Sequence, residues 1–283
     1  MCVTFFLINS EDFPKIPYKF IMGFNRDEDI ARPTAPLGFT MKDPNILAGV
    51  DMSAGGTWLG INIKTGNFAC LTNSWIYKPS DKVNLSLSRG YLVSRFLATD
   101  FYASLDSDTS EGILKAIEKY CEEVFEKREE YKGYNLLVGN LKLAKFFYVG
   151  NTIDEIKKLT DGIHSIGNGN IIEGMKKEEL GKALFQSFVD ALPRERDDEG
   201  NLEGLKKVMH NQEATESFGR VTSIQNKWKR LELFDLWGTK TTTYVFVGQD
   251  GELSMYEQTY KDKEMTLDSW KSYKSMKLGQ NKV

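Results

Sequence analysis

The order of elements read along the chain is strands, helices, strands, helices, strands, which predicts a layered α+β fold: two antiparallel sheets packed together with helices outside each. Three observations carry this expectation. Short aromatic and β-branched runs cluster near both ends of the chain and again in its middle, in lengths that suit strands. Apolar residues recur at three- and four-residue spacing in two separate blocks between them. Two-residue turns such as Thr65-Gly66 and Asp250-Gly251 join successive strand runs, as antiparallel hairpins require.

Val3 to Asn9 and Tyr18 to Asn25, separated by a polar turn over Ser10 to Pro17, read as an opening hairpin. Ile46 to Val50, Trp58 to Lys64 and Asn67 to Asn73 read as further strands, the last two paired across Thr65-Gly66. A helix is predicted over Leu87 to Thr99. A second runs from Ser110, as cap, to Lys127, with Ile113, Ile117, Tyr120, Cys121 and Val124 on one face. Tyr134 to Val138, Ala144 to Val149 and Ile163 to Ile166 resume the strands. Leu180, Leu184, Phe188 and Leu192 then mark a helix over Glu178 to Leu192, ended by Pro193. The charged stretch Arg194 to Gly204 reads as a loop and Leu205 to Asn211 as a short helix, whereas Gln212 to Lys240 gives no clear pattern. Thr241 to Val247 and Glu252 to Thr259 form the clearest hairpin. Neither a repeat nor a linker divides the chain, so residues 1–283 read as a single domain.

Composition narrows the function. Lysine and arginine total 37 against 40 acidic residues, a balance that gives no electrostatic reason to expect nucleic acid as partner. Cys2, Cys70 and Cys121 are far apart and odd in number, which argues against a disulfide framework and for a reducing compartment. The apolar runs are too short for a transmembrane helix, and MCVTFFLINSEDF has neither the basic start of a secretory signal nor the arginines of a transit peptide, so cytoplasmic residence is expected. His164 and His210 are the two histidines and sit in no metal-binding spacing, so no metal site is expected. Gly167-Asn168-Gly169-Asn170 is a tight turn rather than a phosphate loop, and no G-x-S-x-G elbow is present.

Two features point to chemistry. Cys2 follows Met1 directly. If the initiator is removed, its α-amine, with an ordinary pKa of roughly 7.7 to 8.0, can serve as base for its own thiol. A cysteine in a first strand is also often only a small buried hydrophobe. The string Asn25-Arg26-Asp27-Glu28 ends the strand expected to pair with the one that carries Cys2, which brings it beside the N-terminus. There Asp27 could orient an ammonium, and Arg26 could favour thiolate or meet an anionic group; a solvated charged turn is the bland alternative. Trp58, after Gly55 and Gly56, reads as a buried packing residue, although glycines beside an aromatic also let a ligand approach the backbone.

These features occur together with others in a fixed order: MCVTFF, NRDE followed by Arg32-Pro33, GGTWLGIN from Gly55 to Asn62, and Leu71-Thr72-Asn73. Next come the segment from Ser88 to Val93, YNLLVGN from Tyr134 to Asn140, the turn around His164 to Asn168, and GTKTTT from Gly238 to Thr243. The combination resembles the NRDE family, also called the transport and Golgi organisation 2 family. The resemblance implies a four-layer αββα sandwich of two mainly antiparallel sheets, like that of the N-terminal nucleophile hydrolases. Carried over from the related bile-salt hydrolases and penicillin V acylases, it implies Cys2 as nucleophile, Asn25 and Asp27 as the paired strand residues, and Asn73 and Asn168 as oxyanion-side asparagines. Two positions depart from those enzymes: Phe24 stands at the strand arginine, and Lys240 at the late arginine, keeping the charge but losing the bidentate fork. By strand alternation Arg26 faces with Phe24 rather than with Asp27.

The same resemblance implies non-catalytic handling of haem or lipid (acyl-CoA) homeostasis, with haem as a transported ligand and no permanent cofactor. Arg26, Glu28, Trp58 and His164 are the ligand-binding candidates; Cys2, His164, His210 and methionines are the candidate axial ligands. Cytoplasmic residence with association at mitochondria, Golgi or other organelle membranes is expected on this ground. The alternative is a Cys2-dependent amidohydrolase cleaving a C–N bond, which requires loss of Met1.

Overall fold

The structure is a computed structural model that describes residues 2–10, 16–79, 81–98, 109–172, 174–217, 220–227, 229–231, 234–262 and 264–279. Its elements run β1 (Val3–Ile8), β2 (Tyr18–Asp29), β3 (Thr34–Phe39), β4 (Ile46–Asp51), β5 (Leu59–Asn62) and β6 (Asn67–Asn73), then α1 (Gly90–Leu97) and α2 (Ser110–Glu126). They continue with β7 (Tyr134–Asn140), β8 (Lys145–Gly150), β9 (Lys157–Leu159), β10 (Gly162–Ile166), α3 (Lys176–Asp190) and α4 (Asp198–Met209). The last are β11 (Thr215–Ser217), β12 (Arg220–Thr222), β13 (Lys229–Leu231), β14 (Phe234–Gly248), β15 (Glu252–Tyr260) and β16 (Leu267–Lys277). Among the described residues two seven-stranded antiparallel sheets, a two-stranded ribbon of β11 and β12, and four α-helices make this an α+β chain. It divides into two compact units, Met1–Pro33 with Asp161–Met276, and Thr34–Thr160 with Lys277–Val283.

The first unit is built on the sheet β10-β1-β2-β14-β15-β16, with β13 against β14. The opening hairpin forms as the sequence predicts, Val3 opposite Asn25 and Ile8 opposite Phe20. Alternation then places Val3, Phe5 and Leu7 on one face, where they join Ile21, Tyr244 and Phe246 in a core closed by Phe185, Val189, Leu205, Val208 and Met209 of α3 and α4. Two glycines let the layers approach. A Cβ on Gly181 of α3 would lie 1.9 Å from the Phe5 ring, and one on Gly23 of β2 would lie 2.5 Å from the Met209 sulfur.

The second unit is a seven-stranded meander, β3-β4-β5-β6-β7-β8-β9. Helices α1 and α2 cover one face of it through Leu92, Val93, Phe96, Ile117, Tyr120 and Val124, packed on Leu71, Leu136, Val138 and Val149. The Tyr120 hydroxyl donates to the Leu92 carbonyl and ties the two helices. The cap of α2 is Thr109 rather than Ser110: its hydroxyl accepts from the Gly112 N–H at 3.0 Å.

Several expectations change. The charged stretch after Pro193 is not a loop throughout, because α4 starts at Asp198. Asp197 caps it by accepting from the Gly200 N–H at 2.9 Å, and Arg196 pairs with Asp198 at 2.7 Å. The short helix expected over Leu205 to Asn211 is the second half of α4. Helix α3 starts two residues earlier than Glu178, and α1 starts at Gly90 rather than Leu87; the predicted end of α1 at Thr99 lies outside the described residues, as do residues 11–15 of the turn expected over Ser10 to Pro17. The unassigned stretch from Gln212 to Lys240 carries three short strands and the first part of β14, which pairs with β2 from Trp237 opposite Asp29 onward.

The close contact at Gly181 gives a test of how α3 is seated. Gly181→Val drives a branched side chain into the Phe5 ring and is expected to lower unfolding stability by about 1–3 kcal/mol, as overpacking of a buried contact does. Urea denaturation measures it, and an unchanged midpoint would show that α3 is not held on Phe5.

Candidate functional site

The site is organised by β2. Because Val3 pairs with Asn25, residues just before β1 fall beside the end of the NRDE string. Cys2 is buried, and its thiol lies 3.9 Å from the Asp27 carbonyl oxygen as a donor to it. The Asp27 side chain is buried too and fully engaged: Oδ1 accepts from the Thr239 hydroxyl at 2.6 Å, and Oδ2 from the Asn226 amide at 2.6 Å. Asn226 in turn donates its backbone N–H to the Thr239 hydroxyl at 2.9 Å. One carboxylate therefore joins β2, β14 and the loop before β13.

The register of β14 against β2 shifts here. Thr239 is opposite Asp27 and Thr241 opposite Arg26, so Lys240 is the extra residue of a bulge. Its ammonium donates to the carbonyl oxygens of Ile30, at 2.7 Å, and of Arg32, closing the turn after β2. Burial lowers the Lys240 pKa, and the nearby Arg26 charge adds to that effect. Arg26 is itself buried and pairs with Glu28 at 3.3 Å, while Glu28 also meets Arg32 at 3.7 Å. The two cations proposed from sequence to recognise an anion are thus held by protein groups. Asn25 is committed in the same way: its amide nitrogen donates to the carbonyls of Met209 at 2.8 Å and Ile224 at 3.0 Å, and its Oδ1 is buried with no hydrogen-bond partner.

Asn168, in the turn after β10, is fully buried and accepts from the Lys177 ammonium at 3.4 Å. Neither Lys177 nor Glu178 is among the candidates from the sequence, where the helix is expected from Glu178 onward on its apolar stripe alone. Both are buried, Lys177 completely. Burial pushes the Lys177 pKa down, against the charges of Asp27, Glu178 and Cys2, which hold it up. Burial likewise raises Glu178 from 4.5 to about 7, although Lys177 and the backbone N–H groups of Met175, Asn168 and Gly167 favour its charged form. As third residue of the helix, Glu178 reaches back to the cap residue, Met175, in the manner of a capping box.

Cys2, Asp27, Asn168 and Lys177 therefore share one site in the first unit, with Thr239 and Asn226 as the groups that fix Asp27. Thr239 lies inside the GTKTTT string; Asn226 falls in the stretch without a readable pattern. His164 stands apart on β10, half-buried and stacked on Phe6 with ring centroids 5.3 Å apart. Asn73 and Trp58 belong to the second unit: Asn73 ends β6 opposite Tyr134, and the Trp58 ring lies across Gly49, where a Cβ would come within 2.4 Å of it. Among the described residues no group of three or more His, Cys, Asp or Glu side chains could hold a metal ion.

A family model described as Transport and Golgi organisation 2 matches residues 1–262. The chain belongs to that family. The Transport and Golgi organization 2 homolog of Mus musculus is 31% identical, with 93% of this chain and 95% of that protein covered. The Transport and Golgi organization protein 2 homolog of Homo sapiens is 29% identical, with 96% and 98% covered. Among solved structures, a variant of conjugated bile acid hydrolase from Clostridium perfringens matches with a TM-score of 0.50 at 10% identity, covering 99% of this chain and 95% of that one. That likeness shows the fold, which is N-terminal nucleophile hydrolase-like. No described helix is long and apolar enough to cross a membrane.

This member of the Transport and Golgi organisation 2 family can be tested at this site through Glu178. Its folded pKa of about 7 lies above the unfolded value, so the native state holds its proton more tightly. Its contribution is fully present below about pH 4.5 and is lost as pH rises through 7, where a buried charge must form. Glu178→Gln stays neutral throughout. Its stability relative to the native protein is expected to rise between pH 4.5 and 7 by about 3 kcal/mol and then level off. Parallel pH–stability curves for the two proteins, measured by urea unfolding, would refute this assignment.

Proposed function

We propose that this family member binds and hands over an amphipathic acyl conjugate inside the cell, acyl-CoA being the ligand class that fits best. One observation carries the reading. The second unit has an apolar groove of about 770 Å³ at the β3–β4 end of its sheet, within the roughly 300–1,000 Å³ usual for small-molecule sites. Its floor comes from cross-strand neighbours, Ala35 with Val50 and Gly38 with Ala48. Ser94 and Ala98 close one side, at the last turn of α1 and just after it, because an eight-residue helix is too short to cover the whole sheet. Exposed Met41 and Met52 at the mouth offer flexible apolar contact, and exposed Lys42 beside them offers a cation to a phosphate.

Haem is the less suited occupant. The groove lining carries neither histidine nor cysteine, and His210 is already engaged with Gln258 at 3.0 Å and the hydroxyls of Tyr244 at 2.9 Å and Tyr260 at 3.1 Å. Burial also lowers the His210 pKa. The amidohydrolase reading keeps its own support in the Cys2, Asp27, Asn168 and Lys177 cluster, while Arg26, Lys240 and Asn25 are committed to structural partners.

Titration of the full chain with a fluorescent long-chain acyl-CoA is expected to saturate. Val50→Trp, which fills the groove floor, should weaken binding at least about tenfold, the equivalent of ~1.4 kcal/mol. Lys42→Glu should weaken it less and flatten its salt dependence. Unchanged affinity in a folded Val50→Trp variant would remove the groove. Saturable haemin binding that this variant abolishes, with no acyl-CoA binding, would assign the groove to haem instead.

A further inference from the structure

The first turn of α3 holds a charge where stability arguments alone would not put one. Lys177 is completely buried at the second position of a fifteen-residue helix. Burial penalises its ammonium, and so does the positive end of the helix dipole, which favours anions at the N-terminus. The position is nevertheless rigidly defined. Gly181, one turn later on the same stripe, sits on the Phe5 ring, and Phe185 follows with its ring centroid 6.4 Å from that of Phe5. This locks α3 along β1, the strand that starts beside Cys2. The register of β1 on β10, with Thr4 opposite Ile166, carries on toward Cys2 opposite Asn168, and Asn168 accepts from the Lys177 amine at 3.4 Å. The charges of Asp27, Glu178 and Cys2 also act on that amine.

We propose that Lys177 is the proton acceptor for the Cys2 thiol, a base supplied by α3 that lets Cys2 take up an acyl group whether or not Met1 is present. The proton of Cys2 Sγ–H passes to Lys177 Nζ, leaving a thiolate beside an ammonium. The thiolate adds to an activated acyl carbonyl carbon, such as that of a thioester. The bond to the leaving group breaks, and the leaving thiolate takes the proton back from Lys177. The products are S-acyl-Cys2 and a free thiol, with neither oxidant nor reductant required. The reduced basicity that burial gives Lys177 suits this role, since a neutral amine becomes accessible nearer to neutral pH than in an exposed lysine. Asp27, held by Thr239 and Asn226, stays in place as the anion that faces the ammonium when it forms.

The test uses no long-chain acyl-CoA and is therefore independent of the groove. The full chain, its Met1 status read from the intact mass, is treated with iodoacetamide across pH 5.5 to 9.5, and alkylation of Cys2 is followed by peptide mass so that Cys70 and Cys121 do not contribute. Lys177→Met removes the amine, and Lys177→Gln removes it while keeping a donor for Asn168. Both are expected to slow alkylation near pH 7 about tenfold and to change the shape of the pH–rate profile. In the native protein p-nitrophenyl acetate should release a burst of one p-nitrophenolate per chain, lost in Cys2→Ala and slowed to the same degree in the Lys177 variants. Superimposable pH–rate profiles for native and variant proteins would overturn the proposal. So would a Cys2 that iodoacetamide never reaches. Should neither variant fold, the native profile is compared with that of the urea-unfolded chain, and coincidence of those two would overturn it as well.

Discussion

The carboxylate of Asp27 is the interaction on which the arrangement of the first unit turns. A buried carboxylate is strongly unfavourable unless its lone pairs are met, and here two short hydrogen bonds meet them from separate parts of the chain, Thr239 on β14 and Asn226 in the loop before β13. Those partners are about two hundred residues from Asp27 in sequence. The demand for them fixes the register of β14 on β2 and forces the extra residue, Lys240, into a bulge whose ammonium closes the turn after β2. It also places the Asp27 carbonyl where the Cys2 thiol can reach it. A single desolvated anion thus sets the neighbourhood of the N-terminal thiol.

The same accounting separates the polar groups that hold the fold from those left to act. Asn25 staples the end of α4 and the Ile224 loop to β2. Arg26 is held by Glu28, and Lys240 by two backbone carbonyls. Each has a local structural use. Lys177 differs, because nothing in helix stability favours a buried cation at the start of α3. A group kept where it is unfavourable, next to a thiol, a carboxylate and a buried asparagine, is the kind of departure from local consistency that marks functional sites.

How far the sequence could be read follows from this division. The hairpins were legible because Thr65-Gly66 and Asp250-Gly251 turns sit between alternating strands, and α2 was legible from the spacing of Ile113, Ile117, Tyr120 and Val124. Helix α4 was hidden by Asp198, Glu199 and Gly200, which read as loop residues but serve as a capped first turn held by Asp197 and by the Arg196–Asp198 pair. Of the site, Cys2 and Asp27 were visible through the pairing of the first two strands and the motif at the second strand's end. Lys177, Glu178 and Asn226 were not, because only tertiary packing buries them, and no local pattern distinguishes a buried lysine in a first turn from a solvated one.

The engaged cations bear directly on what a ligand can find. An acyl conjugate carries phosphates that need positive charge and a chain that needs an apolar wall. In the first unit Arg26 and Lys240 already have partners, and drawing either away would leave Glu28 or the carbonyls of Ile30 and Arg32 without it. In the second unit Lys42 stands exposed at the mouth of a groove whose floor is apolar. Recognition through Lys42 disrupts no such pair, whereas recognition through Arg26 must first break one. The charge that meets a phosphate is therefore expected outside the NRDE string, with the string itself holding the strand end that positions Cys2.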